Sequence, residues 1–300
     1  MGKKYVRPLV PLVPPVFTTE EVRENEYLAG LSDADGYINV CGNRCYFEMT
    51  QASWNVNLLE LFRSKLGGRI WTPERYKSDR FNSIVFRVST KEAMIKLAFM
   101  FNANVRGTTR SEQFKRLCIL LNIEYVAPIE LTKENCWYAG MFDGDGCISF
   151  NFNEKRKTEM KVTSQYSADV EFFVKFFGGR LVKCSENAWT WTITSKVEII
   201  AFSNVLKSLN LKSNKKIRIG LVNDYYDLSK KRPLAKESPY YQDWLDFAER
   251  WYANGSDKYR KDCRERPYTA IERAKREAEG GGKPGEVEAA TAGEREEEKV

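Results

Sequence analysis

The chain has 300 residues, with 48 Lys and Arg against 41 Asp and Glu, a formal net charge of +7 and no His. Without imidazole, Ser-His-Asp triads, His general bases and His metal ligands are excluded. The seven Cys include no CxxC pair, which argues against a zinc site, and no apolar run approaches the ~18 residues of a membrane span.

The charge is uneven. Positions 277–300 hold eight Glu against Lys283, Arg295 and Lys299, a net of −5, so positions 1–276 carry +12. A basic body suits a polyanionic partner. Several cysteines sit in apolar contexts, as small core residues of a reducing, intracellular compartment do.

In chain order, residues 1–20 read as an extended arm, since VRPLVPLVPPV is broken by Pro8, Pro11, Pro14 and Pro15. Thr18, Thr19 and Glu21 make a helix start, and the helix is expected from Val22 to Ala34. It closes on LAGLSDADG (28–36). The strands YINV (37–40) and CYFEMT (45–50) alternate around the turn CGNR. Ile38, Val40, Phe47 and Met49 form one face, and Tyr37, Asn39, Tyr46 and Glu48 the other. A helix over 55–66, ended by Gly67 and Gly68, leads to a second hairpin, 68–76 with 81–89. Helices over 91–102 and 111–122 complete a first half-domain, 21–125.

The order then repeats. YAGMFDGDG occupies 138–146, and its Asp145 stands where the first copy has Asp35. Strands follow at 147–153 and 160–164, a helix at 168–177, strands at 179–185 and 188–194, and helices at 196–206 and 216–228. This second half-domain spans 126–230. Residues 231–276 form an extension with an amphipathic stretch, WLDFAERWY (244–252), and a basic run, KYRKDCRER (258–266). Residues 277–300 have almost no large apolar residue and are expected to be disordered. The fold class is therefore α+β: two pseudo-symmetric α-β-β-α-β-β-α half-domains, each with a four-stranded antiparallel sheet, greasy on one face and polar on the other. Polar sheet faces of this kind can read base edges and touch phosphates. The candidate DNA contacts are Tyr37, Asn39, Arg44, Tyr46, Glu48, Arg75, Arg80 and Arg87 in the first half. In the second they are Ser149, Asn151, Asn153, Lys161, Thr190 and Thr192.

The duplicated stretch suggests chemistry. Gly30 and Ala34 lie four apart, as do Gly140 and Gly144, so each pair shares one helix face. Small residues there let two backbones approach closely. Packed side by side, the two helices would bring Asp35 and Asp145 together at their C-terminal ends. The helix dipole is negative at that end, so carboxylates held there call for a cation, and two converging carboxylates suit Mg²⁺. Gly36 and Gly146 are expected to stop the helices in the left-handed conformation.

These nonapeptides resemble the motifs of the LAGLIDADG homing endonucleases, in the two-motif, single-chain form. The resemblance covers about residues 24–230. It departs at Ser32, Tyr138 and Met141, while both acidic positions are intact. It implies a DNA-binding saddle joined by the packed motif helices, and a monomer that cuts double-stranded DNA at a long asymmetric site to leave short 3′ overhangs. Magnesium is the implied cofactor, with Mn²⁺ or Ca²⁺ as substitutes for binding. By the same resemblance the main-chain carbonyls of Ala34 and Gly144 join Asp35 and Asp145 as metal ligands. A polar catalytic position falls on Gln51 in the first half and on Ser164 or Gln165 in the second. A catalytic cation falls on Lys215, and its counterpart is Arg110, which cannot readily lose a proton. The family also implies an organellar setting, chloroplast or mitochondrion, and includes RNA maturases, so intron RNA is a second candidate partner. A non-catalytic DNA-binding regulator is a third reading.

Overall fold

A computed structural model describes residues 12–76, 83–150, 158–233 and 238–252. Helix α1 (Thr19–Asp35) starts in a capping box: Thr18 Oγ1 accepts from the Glu21 amide at 3.3 Å and Glu21 Oε2 from the Thr18 amide at 2.8 Å. It is followed by β1 (Gly36–Cys41), β2 (Arg44–Gln51), α2 (Val56–Leu66), β3 (Arg69–Trp71), β4 (Ile84–Val88), α3 (Lys91–Phe101) and α4 (Thr108–Leu121). The second half repeats the series as α5 (Trp137–Asp145), β5 (Gly146–Phe150), β6 (Thr158–Ser164), α6 (Glu171–Phe177), β7 (Arg180–Ser185), β8 (Ala188–Ile193), α7 (Lys196–Ser208) and α8 (Lys215–Gly220). Each half thus runs α-β-β-α-β-β-α, with the further helix expected over 111–122 or 216–228 behind it. The helix expected over 216–228 is interrupted at Leu221, beyond which α9 (Val222–Lys230) runs separately.

Both sheets are antiparallel with the same order, β1-β2-β4-β3 and β5-β6-β8-β7. Strand alternation puts Phe47, Met49 and Phe86 under the helices of the first half, where Phe47 meets Phe62 and Phe101 at ring distances of 5.1 and 5.9 Å. In the second half Trp191 and Ile193 point inward, and Phe173, Phe177 and Phe202 pack around Trp191 and Tyr138. The amphipathic stretch after the repeat forms α10 (Tyr241–Tyr252) and docks on the second half. Its Trp251 lies 4.1 Å from the ring of Phe150, which itself stacks on Tyr225 at 3.9 Å.

The motif glycines differ from expectation. Gly36 has φ −78° and Gly146 φ −71°, extended rather than left-handed. Small size is what these positions need. A Cβ on Gly36 would lie 2.5 Å from Ser32 Oγ and 2.9 Å from the Phe47 ring, and one on Gly146 would lie 2.5 Å from the Phe142 ring. Positive-φ glycines end α2 and α6 instead, Gly67 (φ 69°) and Gly178 (φ 72°), and a left-handed cap occurs at Asn122 after α4. The candidate contacts Arg80, Asn151 and Asn153 lie outside the described residues, as do the side chain of Arg75, the arm up to residue 11, the basic run 258–266 and the tail 277–300.

Candidate active site at the base of the motif helices

Helices α1 and α5 touch backbone to backbone through the four small residues. A Cβ on Gly140 would collide with the Tyr27 carbonyl and lie 2.6 Å from the Leu31 amide; one on Gly30 would collide with the Trp137 carbonyl. At the C-terminal end, Gly144 faces Ala34, and the Asp35 carboxylate leans over it, 2.9 Å from where a Gly144 Cβ would be. Asp35 is therefore set beside Asp145, and the two carboxylates repel each other.

The two aspartates of each motif have different surroundings. Asp143 is buried and accepts from the Tyr27 hydroxyl (2.7 Å), the Lys212 amide (2.7 Å), the Ser213 amide (3.1 Å) and the Ser213 hydroxyl. Asp33 accepts from Trp137 Nε1 (2.7 Å) and the Arg106 amide (3.0 Å). Tyr27 and Trp137 are pseudo-symmetry mates, with the same spacing in sequence as Asp35 and Asp145. Each first aspartate thus braces the opposite motif helix and fixes the chain leading into its own half's later helix. Glu26 adds to the brace by accepting from the Asn135 side chain (3.0 Å) and the Cys136 amide (2.9 Å) at the start of α5. Asp35 and Asp145, the second aspartates, have no such anchoring role.

Two half-buried cations balance this end of the helix pair. The Lys215 ammonium donates to the carbonyls of Phe142, Asp143 and Gly144 at 2.8–2.9 Å, so all three of its protons cap α5. Arg110 donates through Nε to a single carbonyl of α1, Ser32 (2.9 Å), and through Nη1 to Gln113 of its own helix (2.6 Å). Burial lowers both cations' pKa values. Burial raises Asp35, opposed by the Gln51 hydrogen bond and then by Lys215 and Arg110. Asp145 is pushed up to about 7, by burial first and by the Asp35 charge second. The donors available here are carboxylate and carbonyl oxygens, the hard ligands Mg²⁺ takes. Among the described residues no group of three or more His, Cys, Asp or Glu side chains is placed to hold a metal. An ion at this position would need water and substrate phosphate to complete its shell.

The displaced Asp145 pKa makes the metal-free protein pH-sensitive. Its ordinary value is 3.8, and its folded value is about 7. Between the two the unfolded chain binds fewer protons than the folded one, so stability falls as pH rises across that window and levels off above it. Without metal, Asp145→Asn is expected to melt above the parent at pH 8 and to converge on it near pH 4. Parallel melting-temperature profiles over pH 4–8 would contradict this.

Strand register decides which polar residues are equivalent. Gly36 pairs with Met49 and Gly146 with Val162, so Gln51 corresponds to Ser164, and Gln165 lies one residue beyond. The two halves use this position differently. Gln51 Nε2 donates to Asp35 Oδ2 at 2.6 Å, whereas Ser164 Oγ donates to Asp169 Oδ2 at 2.8 Å. Asp169 carries no sequence signal of its own. It is buried, and it also accepts from the Thr108 amide (2.8 Å) and hydroxyl (2.6 Å) at the start of α4. A cleft of about 390 Å³ opens here, with Asp145, Asp169, Arg110, Ser164, Gln165 and Tyr166 among its lining residues.

On the first sheet, Tyr37 and Arg44 are exposed and Asn39, Tyr46, Glu48 and Arg87 half-buried. Arg87 Nε donates to Glu48 at 2.6 Å, and its guanidinium lies 4.4 Å from the Tyr46 ring. Arg69 and Trp71 share this face, with Arg69 at 4.5 Å over the indole, and both were absent from the expected contacts. A β3 of three residues is too short to show its alternation in sequence. On the second sheet, Ser149 is exposed, and Lys161 pairs with Glu159 at 3.4 Å. Thr190 and Thr192 are on the expected face but only 8% and 7% exposed, because β8 lies between β6 and β7.

No family model matches the chain. It is 35% identical over 250 residues to the intron-encoded RNA maturase bI4 of Saccharomyces cerevisiae, covering 80% of this chain and 38% of that protein. It is 30% identical over 255 residues to the probable intron-encoded endonuclease aI2 of Debaryomyces hansenii, covering 78% and 38%. With the intron-encoded DNA endonuclease ai2a of Dictyostelium discoideum it shares 26% identity, covering 78% and 77%. The chain therefore spans about two-fifths of the length of the first two relatives. Among solved structures, the I-LtrWI LAGLIDADG homing endonuclease bound to target DNA superposes with a TM-score of 0.55 at 19% identity, covering 79% of this chain and 99% of that one. The meganuclease I-SmaMI bound to uncleaveable DNA gives 0.53 at 16% identity, covering 86% and 99%. At these identities the likeness is one of fold.

Proposed function

We propose that the chain, which resembles the LAGLIDADG proteins of the two-motif, single-chain form in sequence and shares their fold, is a site-specific double-strand DNA endonuclease of the intron-encoded type. The observation that carries this reading is the meeting of Asp35 and Asp145 at the base of the helix pair that joins the two sheets. Asp35 and Asp145 would hold magnesium, with the Ala34 carbonyl. The Gly144 carbonyl accepts from Lys215 and would share its second lone pair. Bound there, the metal supplies activation of water and stabilisation of charge on the phosphoryl and leaving oxygens. Gln51 holds Asp35 in place, and Lys215 and Arg110 offset the local negative charge. The two polar sheet faces differ in sequence, so the target is asymmetric. With both motif helices in one chain, the protein acts as a monomer, and the family resemblance favours short 3′ overhangs and an organellar setting.

The test is a cleavage selection from a randomised DNA library with Mg²⁺. One enriched asymmetric site cut on both strands is expected; no cleavage of any sequence would overturn the reading. The 35% identity with an RNA maturase favours one second reading, assistance of group I intron splicing on the same fold. Splicing of a cognate intron without DNA cleavage would select it.

DNA affinity is expected to fall steeply with salt, because the sheet faces meet phosphates through Arg and Lys. Each phosphate contact should add about 0.9 to the slope of log K against log salt. A flat response between 50 and 200 mM salt, in filter-binding titrations, would show that these faces are not the contact surface.

A further inference from the structure

The two halves are built alike around Asp35 and Asp145 but differ one layer out, and this difference points to a residue with no assigned role. In the first half the strand-end polar residue, Gln51, bonds the motif carboxylate itself. In the second half its register mate Ser164 turns to Asp169 instead, and Asp145 receives no hydrogen bond from it. Asp169 uses its other oxygen for the amide and hydroxyl of Thr108, the first residue of α4. Thr108 belongs to the first half, 61 residues away in sequence. Two residues further along α4 is Arg110, whose charge faces Asp33 first and then Asp145, Asp35 and Asp169, and whose side chain lines the same cleft. The short helical turn Ser53–Asn55 follows Gln51 as the turn Ser167–Asp169 follows Ser164, and neither it nor the next residue, Val56, carries a carboxylate.

We propose that Asp169 is a positioning residue for one of the two active-site halves. Resting on the nuclease reading above, it ties the start of α4, and with it Arg110, to the end of β6, and so sets the cation and Ser164 against the Asp145 cleft. The first half has no carboxylate at the corresponding position, so loss of this tether acts on one strand's cleavage and spares the other. Asp169→Asn keeps the size and an acceptor for the Thr108 amide, and it is the conservative variant. Asp169→Ala removes the tether entirely. Thr108→Val removes only the hydroxyl arm.

The experiment uses the full chain and a target duplex carrying a different 5′ label on each strand. Single-turnover cleavage with Mg²⁺ then gives two strand rates for each variant, and nicked duplex is the direct readout. For Asp169→Ala, one strand is expected to slow at least tenfold and the other less than twofold, so that nicked product accumulates. Thr108→Val should show the same bias in weaker form, and Asp169→Asn should restore most of the lost rate. An unchanged ratio of strand rates in Asp169→Ala, or an equal fall on both strands, would overturn the proposal while leaving the nuclease reading standing. Should Asp169→Ala fail to fold, as judged by its melting curve, the Thr108→Val ratio decides alone. A parent protein that cuts neither strand overturns both readings.

Discussion

Asp35→Asn and Asp145→Asn are each expected to slow cleavage of the target duplex about 1000-fold or more, while Ca²⁺-supported binding to that duplex is unchanged. The substitution keeps side-chain size and removes one negative charge from a site of hard oxygen donors. Metal-borne charge stabilisation is worth several kcal/mol in the transition state, and every ~1.4 kcal/mol lost there slows the reaction about tenfold. On the proposed nuclease reading, affinity comes instead from the sheets and their phosphate contacts. Folding should survive as well. Both carboxylates are half-buried at the negative end of a helix dipole, and desolvation raises both pKa values. Neutralising either relieves that burial cost and their mutual repulsion. Without metal at pH 8, then, each variant should melt at or above the parent.

The first aspartate of each motif is the contrasting control. Asp143 accepts four hydrogen bonds within the protein and Asp33 braces Trp137 and the chain before α4. Asp143→Ala leaves the buried Tyr27 and Ser213 donors without an acceptor, each a loss of about 1–3 kcal/mol. This change should therefore lower the melting temperature, whereas Asp145→Asn should not. Either second-aspartate variant cutting both strands at the parent rate would reduce these residues to helix ends and leave the nuclease reading without its centre.

Much of this architecture can be read from local pattern. The period-two alternation of 37–40 and 45–50 gives β1 and β2 and assigns their faces, because one face must be buried. The four-residue spacing of Gly30 with Ala34 and of Gly140 with Gly144 gives the helix contact, because only small residues permit it. What escapes local pattern is what depends on pairing across the chain. Asp33 and Asp143 look like Asp35 and Asp145 in sequence, and only their partners 104 and 116 residues away set them apart. Ser164 and Gln165 are adjacent, and only the pairing of Gly146 with Val162 selects Ser164 as the mate of Gln51. Asp169 becomes visible only when Thr108, 61 residues earlier, is folded against it. Gly36 and Gly146 follow the sequence rule for a helix stop. Here, though, side-chain crowding by Ser32, Phe47 and Phe142 is the reason for glycine, not the backbone angle.

Gly30→Ala and Gly140→Ala are expected to destabilise the protein more than other single-methyl additions in its core. Overpacking a core normally costs about 1–3 kcal/mol, because side chains rotate and the backbone shifts slightly. Neither relief is open here. The new methyl on Gly140 would meet the Tyr27 carbonyl and the Leu31 amide, and the one on Gly30 the Trp137 carbonyl and, at 3.0 Å, the Met141 amide. These are backbone atoms inside the opposing helix, so the helices must part. Parting strains the cross-braces from Tyr27 to Asp143 and from Trp137 to Asp33, and the Glu26 contact at the start of α5. The sum is expected to reach about 3 kcal/mol or more, which for a body of this size corresponds to a melting temperature lower by ~10 °C. Cleavage should fall with it even below the melting range, since separated helices no longer set Asp35 beside Asp145. Gly220→Ala is the matched control. It lies at the end of α8 with no atom within 4 Å of an added Cβ, and alanine there should be neutral or stabilising. If Gly140→Ala and Gly220→Ala melted together at the parent temperature, the close helix contact would not be what joins the two halves.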